Sequence, residues 1–122
     1  MKKTSYTHTE PCIFCKIIKG NILAEKLFED DIMIIIRDID PKAKTHYLAI
    51  PKNPYSLFDE METNDKNNLG HIFSTIAKEK DNLGLQDGYR LVINQGSNAG
   101  QSVFHLHIHI LGGQQLSWAD YR

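Results

Sequence analysis

Three of the chain's six histidines fall within five residues, His105-Leu106-His107-Ile108-His109. On a β-strand alternate side chains share a face, so the three imidazoles would line one side while Leu106, Ile108 and Ile110 turn toward a core. Three polar rings are a costly filling for an interior, so the pattern points to chemistry. A metal site is one reading. At about 3.3 Å of rise per residue, neighbouring histidines on that face stand roughly 6.6 Å apart at the backbone and the outer two about 13 Å apart. Two can share an ion, but convergence of all three on one ion does not suit the spacing. The middle ring, His107, suits another task. A neutral imidazole attacks phosphorus well, provided its second nitrogen gives its proton to an acceptor. The preceding loop, 95–102, offers glycine-permitted backbone amides and the Gln101 and Ser102 side chains, groups that can hold phosphate oxygens as charge builds. The lysine and serine or threonine of a P-loop are absent.

A second cluster is Cys12 and Cys15, a C-x-x-C. In a reducing compartment this spacing reads as metal or redox chemistry before it reads as a structural bridge. A redox enzyme would need a low-pKa thiol in a strand-turn-helix context, and Cys12 opens no such unit.

The elements that must position these residues can be read along the chain. Residues 1–10 are polar, lack periodicity and read as a flexible arm. Ile13, Phe14, Ile17 and Ile18 mark a short helix over 12–19, with Gly20 suited to a left-handed stop. Strands follow at 23–29 and 32–36 around an Asp30-Asp31 turn, the second β-branched throughout much of its length. A loop with Pro41 leads to a third strand at 45–50, ended by Pro51. Leu69, Ile72, Phe73, Ile76 and Leu83 follow the spacing of one buried helical face, so a long helix spans 63–83 and Gly84 closes it. Strands at 89–95 and 103–111 complete the order, with Gly112-Gly113 ending the last. Consecutive strands with short turns favour an antiparallel α+β domain over an alternating parallel one. His71 on the long helix and His8 in the arm read as solvated, as does the charged run 78–81.

Composition narrows the function classes. The length of 122 residues suits one domain, here 11–122 after the arm. Formal net charge is −1, which makes no broad case for a nucleic-acid or membrane partner. No apolar run approaches the roughly 20 residues that span a bilayer, and no apolar signal core follows the basic start. A cytoplasmic location is expected.

The string Gln101-Ser102-Val103-Phe104-His105-Leu106-His107-Ile108-His109-Ile110-Leu111-Gly112-Gly113 resembles the signature of the histidine-triad (HIT) family, in particular its Hint branch of purine nucleoside phosphoramidases. Ile13-Phe14-Cys15-Lys16-Ile17-Ile18, Phe28-Glu29-Asp30-Asp31, Asp38-Ile39, Thr45 to Lys52, Gly88-Tyr89-Arg90 and Val92 to Gly96 resemble that branch in the same order. The resemblance implies a HIT-like antiparallel five-stranded sheet with one long and one short helix. It implies a hydrolase of purine nucleoside phosphoramidates or related AMP and GMP conjugates, acting through a nucleotidyl-histidine intermediate on His107. Ser102 and His109 would line the phosphate site, with Asn94 and Gln101 beside them. Asp38 would hold the ribose hydroxyls, and Ile13, Phe14, Ile22, Phe28, Ile36 and Ile39 would form a slot for the purine. His46 would sit behind the nucleophile and fix its tautomer. No cofactor is implied for catalysis. Cys12, Cys15, His46 and His105 could together make a closed structural zinc site, as some family members do.

The sequence also departs from the family. Lys52-Asn53-Pro54 stands where many relatives have a histidine after Pro-Lys, Arg37 precedes the ribose acid and could alter base preference, and the tail diverges after Trp118. The resemblance implies a homodimer built by the region around Leu83 and by pairing of the 89–95 strand across a two-fold axis. Two alternatives stand beside the phosphoramidase reading: a dinucleoside polyphosphate hydrolase of the Fhit-like branch, and a nucleotide-sensing interaction protein whose catalysis is incidental. His109 argues against the uridylyltransferase branch, which carries glutamine there.

Overall fold

Cys12 caps the first helix, α1 (Ile13–Lys19): its Sγ accepts from the Cys15 amide at 3.3 Å, and Gly20, with φ of 84°, ends the helix. The computed structural model describes residues 12–118; the expected arm at 1–10, His8 within it, and the tail beyond Trp118 lie outside the described residues. Strands β1 (Lys26–Glu29), β2 (Met33–Arg37) and β3 (Thr45–Pro51) precede the long helix α2 (Thr63–Glu79), and β4 (Tyr89–Val92) and β5 (Ile108–Gly112) follow it. They form one antiparallel sheet in the order β1-β2-β3-β5-β4. The expected α+β architecture, five strands with one long and one short helix, is the one observed.

Alternation along the strands divides the core between two faces. Met33, Ile35, Tyr47, Ala49, Ile108 and Ile110 pack with Ile72 and Ile76 of α2. On the other face Ile34, Ile36, Leu48 and Ile50 pack with Phe14 and Ile17 of α1. Burial of one apolar stripe per helix thus fixes both helices to the sheet.

Several boundaries differ from the sequence expectation. Helix α2 stops at Glu79 rather than 83; the Leu85 amide reaches back to the Lys80 carbonyl at 2.8 Å and Gly84, at φ 73°, completes the turn. Strand β4 stops at Val92, and β5 begins at Ile108 instead of 103. Residues 101–107 are diverted by side chains. Gln101 accepts from the Gly96 amide at 2.7 Å and donates to the Ser56 carbonyl at 3.2 Å, the Ser56 hydroxyl donates to the Phe104 carbonyl, and the Leu106 amide donates to the Tyr55 carbonyl at 2.7 Å. These bonds take up backbone groups that a strand ladder would otherwise use.

Candidate functional site

The α1 face holds a cleft of about 340 Å³ between α1, the end of β2 and the segment leading into β5. Its walls are mostly apolar, Ile13, Phe14, Ile17, Ile36, Leu48 and Val103, and its polar groups are Arg37, Asp38, Ser102, His107 and His109. A narrow apolar slot with a few convergent polar groups at one end is the form of a small-molecule site.

His107 is buried just before β5, and its Nδ1–H donates to the His105 carbonyl at 2.8 Å. That bond fixes the tautomer and leaves the lone pair on Nε2. Burial pushes the His107 pKa down, opposed by the His105 carbonyl and the Asp38 carboxylate. The ring meets Phe14 edge-on at 5.1 Å and His109 at 5.2 Å between centroids.

Behind His109 lies a directional chain. The Lys42 amide donates to His46 Nδ1 at 2.9 Å, so His46 carries its proton on Nε2. That Nε2–H stands 2.9 Å from His109 Nδ1 and 3.3 Å from Asp38 Oδ2. With Nδ1 accepting, neutral His109 holds its own proton on Nε2 and is a donor there. Burial, helped by the neighbouring His107 and His46, pushes the His109 pKa down to about 4. Burial first, and then Lys42, lowers that of His46 against the pull of Asp38. Asp38 Oδ1 accepts from the Asp40 amide at 2.8 Å, which orients the carboxylate at the exit of β2.

His105 faces away from this chain. Its Nε2–H donates to the Pro51 carbonyl at 2.8 Å, so its Nδ1 is an acceptor; Cys12 Sγ lies 3.4 Å and Cys15 Sγ 3.5 Å from it. The two sulfurs are 3.3 Å apart. A tetrahedral zinc with bonds of about 2.3 Å to sulfur and about 2.0 Å to nitrogen would set such donors roughly 3.5–3.8 Å apart. The three donors therefore fit zinc with small shifts, and the carbonyl behind the imidazole is the support that ligating histidines use. Asp38, His46 and His109 also bring one ligand atom each within 4.8 Å. They do not fit a metal: the Lys42 amide keeps the proton of His46 on the nitrogen that would have to bind.

The expected site is redistributed in several places. His46 does not join the cysteines, because the anchor of His105 is Pro51, five residues further along β3, about 16 Å of strand. Nor does it set the tautomer of His107, a role taken by the His105 carbonyl. Only His109 lies within β5, yet the three rings follow one another on the α1 side: Phe14 meets His105 and His107, and His107 meets His109. Phe28 packs on the α2 face of the sheet, and Ile22 and Asn94 are not in the cleft wall. Gln101 is 3% exposed and braces the loop. Ile39 is at the cleft mouth, 98% exposed. Arg37 borders the cleft beside Asp38, its guanidinium 5.6 Å from the Tyr47 ring and its Nε 3.4 Å from Glu25 Oε1. His71 is partly solvated but pairs with Asp30 at 2.7 Å. The sequence reading missed Ile17 and Leu48. Both had a signal: Ile17 lies one turn beyond Ile13 and Phe14, and Leu48 alternates with His46 on β3.

An antiparallel α+β fold with a buried, tautomer-fixed imidazole at the end of an apolar slot defines a class that comparisons specify. The HIT domain family model matches residues 19–116. An uncharacterised HIT-like protein of Synechococcus elongatus is 44% identical over 110 residues, covering 90% of this chain and 96% of its own. The crystal structure of a HIT family hydrolase from Legionella pneumophila superposes with a TM-score of 0.83 at 42% identity, over 89% of this chain and 98% of that one. A zinc-bound histidine triad family protein from Mycobacterium smegmatis gives 0.73 at 32% identity, over 88% and 80%. The chain belongs to the HIT family.

Proposed function

We propose that the protein is a nucleotide hydrolase that cleaves purine nucleoside phosphoramidates or related AMP and GMP conjugates through a nucleotidyl intermediate on His107. The observation that carries this reading is the bond from His107 Nδ1–H to the His105 carbonyl: it leaves a neutral imidazole with its lone pair on Nε2, in the wall of an apolar slot that also holds Asp38 and Ser102. The purine would lie against Phe14, Ile36 and Leu48, with the ribose near Asp38. His107 Nε2 attacks phosphorus, the bond to the leaving nitrogen breaks with its electron pair, and His109 Nε2–H supplies the proton that makes the amine a neutral product. Water then attacks the phosphorus and gives one proton to His109 Nε2, restoring the N–H spent on the amine; the P–N bond to His107 breaks with its electron pair returning to Nε2, and the monophosphate leaves. Ser102, in the same cleft wall, would donate to phosphate oxygens.

Cys12, Cys15 and His105 are the residues that would hold a zinc ion, a reading supported by their separations and by the zinc-bound relative. Zinc here would be structural, tying α1 to the segment before β5. A cytoplasmic homodimer is part of the same reading, in keeping with two cysteines that form no disulfide and with β4 as an outer strand of the sheet among the described residues. No helix among the described residues is long and apolar enough to cross a membrane.

Turnover of an adenosine phosphoramidate by wild type and by His107→Ala tests the proposal. The expected result is cleavage by wild type, loss by at least about a thousandfold in the variant, and an adenylylated peptide containing His107 trapped in wild type. AMP binding without cleavage of this substrate or of diadenosine polyphosphates would replace the reading with a nucleotide sensor.

A further inference from the structure

The C-x-x-C touches the nucleotide slot on one side and the anchor of the nucleophile on the other. Ile13 and Phe14, between the two cysteines, line the slot. Phe14 meets His105 at 5.9 Å and His107 at 5.1 Å between ring centroids. Both sulfurs lie against His105 Nδ1, an acceptor because Nε2–H is spent on Pro51. The carbonyl of that same His105 fixes the tautomer of His107. The cysteines are three apart at a helix start, where the backbone already brings the sulfurs to 3.3 Å. Closing a disulfide requires an approach to about 2.05 Å. Cys12 is half-buried and Cys15 buried. Burial pushes the Cys12 thiol pKa up, so this is a slow thiol that needs excess peroxide, not a redox enzyme's nucleophile. It is the one a small oxidant meets first, with Cys15 in place to resolve it.

We propose that Cys12 and Cys15 form an oxidisable dithiol whose closure to a disulfide slackens the purine slot and the anchor of His107, making occupancy of the site sensitive to hydroperoxides. The chemistry balances with the peroxide as two-electron oxidant. Cys12 Sγ attacks one peroxide oxygen, an S–O bond forms, the O–O bond breaks, and the thiol proton leaves with the first water. Cys15 Sγ then attacks the sulfenic sulfur, the S–S bond forms, the S–O bond breaks, and the second thiol proton leaves in the second water. The product has lost both S–H groups, that of Cys12 on Cys15 Sγ and the thiol donor facing the buried His105 Nδ1, and Cys12 Sγ is drawn off the Cys15 amide that it caps. His105 and the first turn of α1 must both readjust. In zinc-loaded protein the same oxidation would remove two of the ion's three described ligands.

The nucleotide readout rests on the proposed function, so the test has one arm that does not. Protein as purified is treated with hydrogen peroxide, then examined by unreduced peptide mapping, hydrogen exchange and AMP titration, before and after dithiothreitol. Expected are a Cys12–Cys15 linked peptide, faster amide exchange across residues 13–19, and AMP affinity lower by about tenfold, or about 1.4 kcal/mol of lost slot contact, all reversed by the reductant. Cys12→Ser keeps a capping oxygen and should hold its own starting exchange and affinity under peroxide. Thiols that stay reduced or pass to sulfinic acid without the link overturn the inference, as does a disulfide that leaves exchange across 13–19 unchanged. If the reduced protein does not bind AMP, it is the proposed function that falls, and peptide mapping with hydrogen exchange still decides the switch.

Discussion

His109 lies 2.9 Å from a proton donor, His46 Nε2, and its ring is 5.2 Å from that of His107. His109 is largely buried, and a second proton on it would also face both imidazoles, which is why its pKa falls from 6.5 to about 4. The unfolded chain protonates this residue near 6.5 and the folded chain only near 4, so between those values the unfolded state binds more protons. Stability is therefore complete above pH 6.5, declines as the pH falls through that window, and levels off below about 4. The shift corresponds to about 3 kcal/mol from this residue, and the lowered pKa values of His46 and His107 act in the same direction. Urea unfolding at pH 7, 5.5 and 4 should show that loss. His109→Gln retains an acceptor for His46 and should flatten the profile by its share. An equal slope in wild type and variant would assign the pH dependence elsewhere.

At the scale of elements, much was legible and the remainder has a definite cause. The paired apolar residues of α1, the β-branched run of β2 and the one-sided stripe of α2 each carry a period that packing then honours. The start of β5 carries a misleading period instead: from Val103 to Ile110 the residues alternate as a strand should. Gln101 and Ser56, with the Tyr55 carbonyl, nevertheless divert the segment until Ile108, and partners 45 residues apart leave no local signal. For the same reason Gln101 reads as a phosphate ligand in the sequence and as a brace in the fold. Gln101→Ala removes the acceptor of the Gly96 amide and the donor to Ser56, and should cost about 1–3 kcal/mol of stability, read as a lower urea midpoint. An unchanged midpoint with lost turnover would return Gln101 to the phosphate. Likewise the C-x-x-C was legible as a pair, whereas its separation from His46 depends on which end of β3 each histidine meets.

At the scale of the whole molecule, the sheet has two outer strands and they are not equivalent. Strand β1 is interrupted by a register shift between Lys26 and Phe28 and carries Lys26 and Glu29, features that discourage pairing with another sheet. Strand β4 keeps an unbroken register with β5 over Tyr89–Val92, and its one charged side chain, Arg90, is drawn back onto the Ser117 carbonyl at 2.6 Å. Its outer edge is thus the one suited to receive a second copy. A two-fold axis there would join two sheets into one and set the helical faces side by side. Phe73, 39% exposed on α2, is an apolar group that such a neighbour would cover. Light scattering at micromolar concentration should give twice the chain mass, and the melting temperature should rise with protein concentration, as it does when only the assembled state is fully stable. Phe73→Glu should shift the protein toward the monomer at the same concentration while leaving the buried Ile72-Ile76 side of α2 packed as before. A monomeric wild type would remove the dimer and leave β4 a bare edge.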